Sequence, residues 1–392
     1  VSASPGVCCS RTPASGVTAA TSPSRVSALT GLRAVAAVLV VGTHAAFATG
    51  KLSHGYLGHI YARLEIGVAI FFVLTGFLLF RPWVRAAARR SAPPDLRRYT
   101  WHRVRRILPA YVVTVLAVFA LYTVFTPGPN PGQTWYGLLR YLTFTQIYTN
   151  DYLITLLHTG LSQMWSLAVE VSFYAALPVL AYLVLRGAFR PRRTLLALTA
   201  LAAISPLWLV VVSTTDVLPN SAGMWLPAHI AWFAGGMALA VLEATGARCS
   251  APIPLGIAIV LYLTVATTSG AVTKSLMYAA IATLTVAPIA LGAKGAYDRL
   301  LSSRPLVWLG EISYEIFLLH VPIMALTMSV VLRWPLFTGS LPGLIAVTLA
   351  LTIPAAWALH RRTINRTPTR AAQGAAPTTH DRGARLNPSA LG

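Results

Sequence analysis

The chain has 392 residues, 56% of them hydrophobic and only 10% charged. Soluble domains carry about a quarter charged residues, so this balance excludes an ordinary soluble enzyme. Repeated apolar runs of roughly 18 to 25 residues point instead to a polytopic membrane protein. A formal net charge of +21 would suggest nucleic acid if it sat on one soluble face, and its distribution along the chain decides against that.

In chain order, residues 1–27 are rich in Ser, Thr, Ala and Pro and read as a disordered cytoplasmic tail without a hydrophobic signal region, so the first span acts as its own insertion signal. Ten spans follow, at 29–48, 66–80, 107–126, 163–185, 194–213, 226–243, 253–270, 275–292, 306–332 and 341–359, and residues 363–392 read as a second disordered tail. The 28–362 region is thus one membrane domain. With the N-terminus in the cytoplasm, the 31 Lys and Arg divide 26 inside to 5 outside. That asymmetry predicts an all-α transmembrane bundle with both termini cytoplasmic, and makes the positive charge a matter of topology rather than of nucleic acid. Cys8, Cys9 and Cys249 form neither a disulfide framework nor a metal-ligand pattern.

An ionisable group inside a span is costly and is a functional candidate by default. The first span, "LTGLRAVAAVLVVGTHAAFA", holds Arg33 and His44 eleven residues apart. Eleven residues make three helical turns plus about 20°, so the two share a face and lie roughly 16 Å apart along the axis. The segment "RRYTWHRVRRILPAY" carries Arg97, Arg98, Arg103, Arg105 and Arg106, with Arg103 and Arg106 in RxxR spacing. Arginine forks suit phosphates, although positive-inside anchoring explains the same residues. Residues 127–162 form the longest external stretch, and "TWYGLLRYLTFTQIYT" within it is too short to span and reads as interfacial or re-entrant.

In the fourth span Ser166, Glu170 and Tyr174 follow one another at i, i+4, i+8 on one helix face, directly after Trp165. The ninth span, "LGEISYEIFLLHVP", contains Tyr314 and His320. Counting about 1.5 Å per residue, His44, Glu170 and His320 all come out roughly 20 Å from the cytoplasmic surface. A histidine beside a carboxylate in a water-poor pocket suits general base catalysis; the alternative is a satisfied polar network that holds helices together.

Together these residues resemble the acyltransferase family 3 proteins, multi-pass membrane O-acyltransferases. The resemblance rests on "RAVAAVLVVGTH", "GVAIFFVLTGFLL", "HRVRRILPAY", "WSLAVEVSFY" and "ISYEIFLLHVP", in that order over roughly residues 28 to 360. It implies transfer of an acyl group, usually acetyl, from cytoplasmic acyl-CoA to a hydroxyl, commonly of a carbohydrate or glycosylated metabolite, at the cell membrane. No permanently bound cofactor or metal is implied; membrane lipid and acyl-CoA are the expected partners. Arg33, Arg103 and Arg106 would hold the CoA phosphates, with His44 as general base and Glu170 orienting it. Trp165, Ser166, Tyr174, Tyr314 and His320 would surround the substrate. Two features depart from the family's pattern. Ala69 and Thr75-Gly76-Phe77 stand where an acidic residue and Ser-Gly-Phe are frequent, Glu65 being the candidate to replace the acid. Nor is a soluble esterase-like domain of the kind some members carry expected from the residues after the membrane body. The competing class is a transporter or flippase of a polar lipid or glycan, which would line its whole path with polar residues instead of gathering them at one level.

Overall fold

In hydrocarbon each backbone polar group must be answered within its own segment, which favours helices. A computed structural model describes residues 23–149 and 157–364 of the chain, and within them every regular element is helical. In chain order these are α1 (Pro23–Ala48), α2 (Gly55–Ala62), α3 (Ile66–Arg89), α4 (Leu96–Leu121), α5 (Trp135–Leu142), α6 (Trp165–Leu185) and α7 (Pro191–Thr214). Then come α8 (Leu226–Ala244), α9 (Pro252–Ala266), α10 (Ala271–Ala290), α11 (Ala296–Leu301), α12 (Arg304–Glu311), α13 (Ser313–Leu326) and α14 (Leu341–Ile364). The expected tails lie outside the described residues, except that α1 starts at Pro23 and α14 runs to Ile364.

Among the described residues nine segments are long and apolar enough to cross a membrane. The tenth expected span is α9, which has only 15 residues, or about 22 Å against a ~30 Å hydrocarbon core. It nevertheless runs the length of the bundle. Just before it Glu243 pairs with Arg25 at the start of α1, whereas just after it Lys274 pairs with Glu65 at the opposite end, beside the start of α3. Arg63 fastens that second end by donating to the carbonyls of Val265 and Thr268 at 3.1 and 2.8 Å. Among the described residues the nine candidate spans and the short α9 therefore bring the chain back to the end where α1 begins, the basic end.

The second, third and ninth spans differ most from expectation. α3 continues to Arg89 instead of stopping at residue 80, because its first two arginines are answered by a distant carboxylate. Glu243 of α8 accepts from Arg81 Nε and Nη2 at 2.7 and 2.5 Å, from Arg85 at 3.0 Å and from Arg25 at 2.9 Å. The Arg25 and Arg81 guanidiniums also lie over the Phe77 ring. The expected loop at 81–106 thus shrinks to residues 90–95, and α4 starts where Asp95 Oδ1 caps the Arg98 N–H at 2.7 Å. The expected span 306–332 is broken at Ile312, leaving α12 packed across the start of α1 and α13 as the crossing helix, finished by a π-helical turn at Thr327–Leu332.

α3 and α8 approach closely through Gly76 and Gly236; a Cβ on either would overlap the carbonyl of Phe233 or Val73 on the opposing helix. The contact seats Phe72 and Phe173 on either side of Phe233 at ring distances of 4.4 and 4.0 Å.

The segment after α4 is re-entrant. Tyr111, ten residues and about 15 Å from the end of α4, donates to the Tyr141 carbonyl at 2.6 Å and stacks on Phe144 at 4.2 Å. Phe144 turns the chain back with φ of 57°. Residues 150–156 of this stretch lie outside the described residues. The returning chain is latched by His158, whose Nδ1 accepts from the Gly160 N–H at 3.1 Å while Nε2–H donates to Gln133 Oε1 at 2.6 Å. Burial lowers the His158 pKa to about 4 from 6.5.

Two stability measurements follow from these contacts. Glu243→Ala leaves the buried Arg81 without its counter-charge and should cost about 3–5 kcal/mol, whereas Arg85→Ala, at the exposed rim of the same cluster, should cost under about 1 kcal/mol; thermal unfolding in detergent separates them. Between pH 6.5 and 4 the unfolded chain binds a proton at His158 that the folded chain refuses. Stability should therefore fall by about 3 kcal/mol as pH drops across that window and level off below it. His158→Asn, which keeps an acceptor for Gly160, should remove this part of the slope in unfolding midpoints measured against pH.

Candidate active site

A cavity of about 80 Å³ lies between α1, α3, α4, α6 and α13. Arg33 enters it from α1, Arg103 and Arg106 from α4, Ser166, Glu170 and Tyr174 from α6, and Tyr314 from α13. Seven of the ten residues singled out in the sequence thus share one cavity. The i, i+4, i+8 spacing places the α6 residues on one face, and the α4 pair projects from the turn just inside the basic end. Arg33 feels the charges of Arg106, Glu170 and Glu315. Among the described residues no hydrogen bond or ion pair engages its guanidinium, and Arg103 Nε is buried without a partner. The cavity therefore presents cationic donors that the protein itself does not use.

Glu170 is held in place by two hydroxyls. Its Oε1 accepts from Thr75 Oγ1 at 2.7 Å and from Tyr174 OH at 2.6 Å. Thr75, where Ser is frequent in the resembled family, also carries a hydroxyl, and here it donates to Glu170. Tyr99 OH ties α4 to α6 at the Tyr174 carbonyl, and Tyr314 OH ties α13 to α4 at the Ile107 carbonyl, at 3.1 and 3.0 Å.

The two histidines stand apart from this cavity, behind the Phe71 and Phe317 rings that close it. Those rings are 6.3 Å apart, and Phe317 lies 5.8 Å from His320. His44 is half-buried, and its Nδ1 lies 2.8 Å from the Val40 carbonyl and 3.4 Å from His320 Nε2. His320 Nδ1 in turn lies 2.8 Å from the Phe317 carbonyl. Each carbonyl requires a proton on the facing nitrogen, so both rings are Nδ1–H tautomers. The single His44 Nδ1 proton goes to the Val40 carbonyl, with His320 Nε2 as the longer, weaker acceptor of the same N–H at 3.4 Å, and His44 Nε2 keeps its lone pair.

Equal depth did not mean contact. None of the hydrogen bonds or ring contacts among the described residues joins His44 to Glu170. The carboxylate whose charge reaches His44 is Glu65, which accepts from Tyr278 OH at 2.9 Å and faces Lys274 at 3.6 Å. Trp165 is outside the cavity too, its ring 5.2 Å from His229, whose two nitrogens are buried without partners. Sequence reasoning names Thr75 only as a departure from the family's pattern, and it misses Glu243 and His229. Glu243 was detectable as one of only ten acidic residues in the chain, sitting at the last position of an apolar span.

The family model for an acyltransferase domain matches residues 26–361, and the chain belongs to acyltransferase family 3. Among curated relatives, the chain is 26% identical over 328 residues to the peptidoglycan O-acetyltransferase OatA of Listeria monocytogenes, covering 77% of this chain and 50% of that protein. It is 25% identical over 330 residues to the O-acetyltransferase OatA of Staphylococcus aureus, covering 77% and 51%. A shorter stretch of 160 residues, 40% of this chain and 39% of the relative, is 32% identical to the acyltransferase MdmB of Streptomyces mycarofaciens. The chain spans about half the length of the OatA relatives it matches. No solved structure matches it.

Proposed function

We propose that this membrane protein is an O-acetyltransferase that takes the acyl group from acyl-CoA, most simply acetyl-CoA, arriving at the basic end, which faces the cytoplasm. The observation that carries this reading is the convergence of Arg33, Arg103 and Arg106 on one cavity where, among the described residues, no ion pair engages them, Glu170 being held instead by Thr75 and Tyr174. Guanidinium forks match phosphate oxygens in charge and geometry. A CoA held there by its phosphates has the length of α1 between Arg33 and His44, roughly 16 Å, along which to extend its thioester arm past Phe71 and Phe317.

His44 Nε2 takes the proton of the acceptor hydroxyl as the oxygen attacks the thioester carbon. The resulting imidazolium is held from Nδ1 by the Val40 carbonyl and, more weakly, by His320 Nε2, and its Nε2 proton then passes to the departing CoA thiolate. His320 is a positioning residue in this scheme, filling the role that sequence spacing suggests for Glu170. Glu65 supplies negative charge near the histidines, and Glu170 acts at the donor end by setting the charge around Arg33. By likeness to the Listeria relative, a peptidoglycan sugar is the first acceptor to try; an acyl-histidine intermediate is the variant of the scheme to look for by trapping.

The test is acetyl transfer from labelled acetyl-CoA by purified protein, with peptidoglycan fragments as acceptor. His44→Ala should cut the rate by about 10² to 10⁴ while donor binding holds. Glu170→Gln, which removes a negative charge beside the arginines, should instead tighten acetyl-CoA binding, and the two effects should be independent in the double variant because the residues do not touch. Near-wild-type transfer by a folded His44→Ala protein would sink the mechanism.

A further inference from the structure

We propose that the groove between α4 and α14 is a binding site for one anionic phospholipid, its acyl chain in the groove and its phosphate between Arg105 and Arg362. The groove encloses about 810 Å³ and is walled by Leu108, Val112 and Ala117 on one side, Ala355 and Leu359 on the other, with Leu319 of α13 at the floor. Both arginines line the same groove. They also lie at the same end, because α4 leaves the basic end as α14 returns to it. From Arg105 to Ala117 the groove follows α4 for twelve residues, about 18 Å, close to the ~15 Å depth of one leaflet of hydrocarbon. The site thus has the shape of a lipid: an apolar channel one leaflet deep, headed by two cations.

The cations are free to take a phosphate. Among the described residues no carboxylate pairs with Arg105 or Arg362; Arg105 lies over the Trp101 ring at 4.6 Å, and the neighbouring Arg361 over Trp357 at 4.3 Å. Both arginines are exposed. The adjoining polar pocket contains Glu311 and Glu315, but Glu315 is engaged by His360 Nδ1 at 3.0 Å, while Arg105 and Arg106 also face that pocket. Positive charge is in excess at the head of the groove, which favours an anionic headgroup over a zwitterionic one. The groove lies outside the donor cavity, and its occupant would brace α4, the helix that carries Arg103 and Arg106.

Native mass spectrometry of the detergent-purified protein with equimolar dioleoyl phosphatidylglycerol and phosphatidylcholine tests the site. Two arginines at the headgroup should give roughly a 30-fold preference for the anionic lipid. That preference should vanish in the double variant Arg105→Ala, Arg362→Ala and persist in Arg192→Ala, Arg193→Ala, which removes two exposed arginines elsewhere. Ala358→Phe, which fills the groove and spares the cations, should release the bound lipid. Excess inorganic phosphate should not displace it. Equal retention of the two lipids, an equal drop in preference for both arginine pairs, retention in Ala358→Phe, or displacement by phosphate would each overturn the proposal.

Discussion

Positive charge in a low-dielectric environment is tolerable only where something answers it, and in this chain carboxylates are the scarce partner: ten acidic residues face 31 basic ones. The placement of four glutamates organises the rest. Glu243 gathers three arginines and joins α1, α3 and α8 at the basic end. Glu65 meets Lys274 and Tyr278 at the opposite end, and Glu315 meets His360 between α13 and α14. Glu170 alone of the four has no ion pair among the described residues; it is held by the Thr75 and Tyr174 hydroxyls in a cavity that three arginines share. The first three close the bundle, and the fourth leaves a surplus of cationic donors pointed at a space.

The same arrangement separates the reaction in our proposal into two zones. Arginines and Glu170 occupy the cavity, while His44 and His320 form a neutral pair behind Phe71 and Phe317. A phosphate site wants fixed positive charge, and a general base wants a lone pair free of it. Eleven residues of one helix keep the two apart, and the re-entrant segment latched by His158 backs α4, from which Arg103 and Arg106 project.

Much of this was legible in the sequence because membrane helices run along one axis. Apolar run length located nearly every crossing, and counting residues gave depth, which correctly put His44 level with His320. Rotation about the bundle axis leaves no such trace. Sequence depth therefore pairs Glu170 with His44, a residue that it does not touch here, and places Trp165 in a cavity that it does not line. The length of α3 was misjudged for a related reason: Arg81 and Arg85 look like the start of a loop until Glu243, 162 residues away from Arg81, is placed beside them. The break at Ile312 likewise depends on how α12 packs against the start of α1, a tertiary contact with no local signal.

The central claim is that the three cavity arginines await the phosphates of the donor, and titration of labelled acetyl-CoA into the purified protein tests it most directly. Removing one guanidinium fork from a bound phosphate should weaken binding by about tenfold or more. Arg33→Ala and the pair Arg103→Ala, Arg106→Ala should therefore bind acetyl-CoA markedly less tightly than the parent. Arg33→Lys should recover only part of the affinity, since an ammonium lacks the fork. Folded variants that bind acetyl-CoA as tightly as the parent would contradict the account.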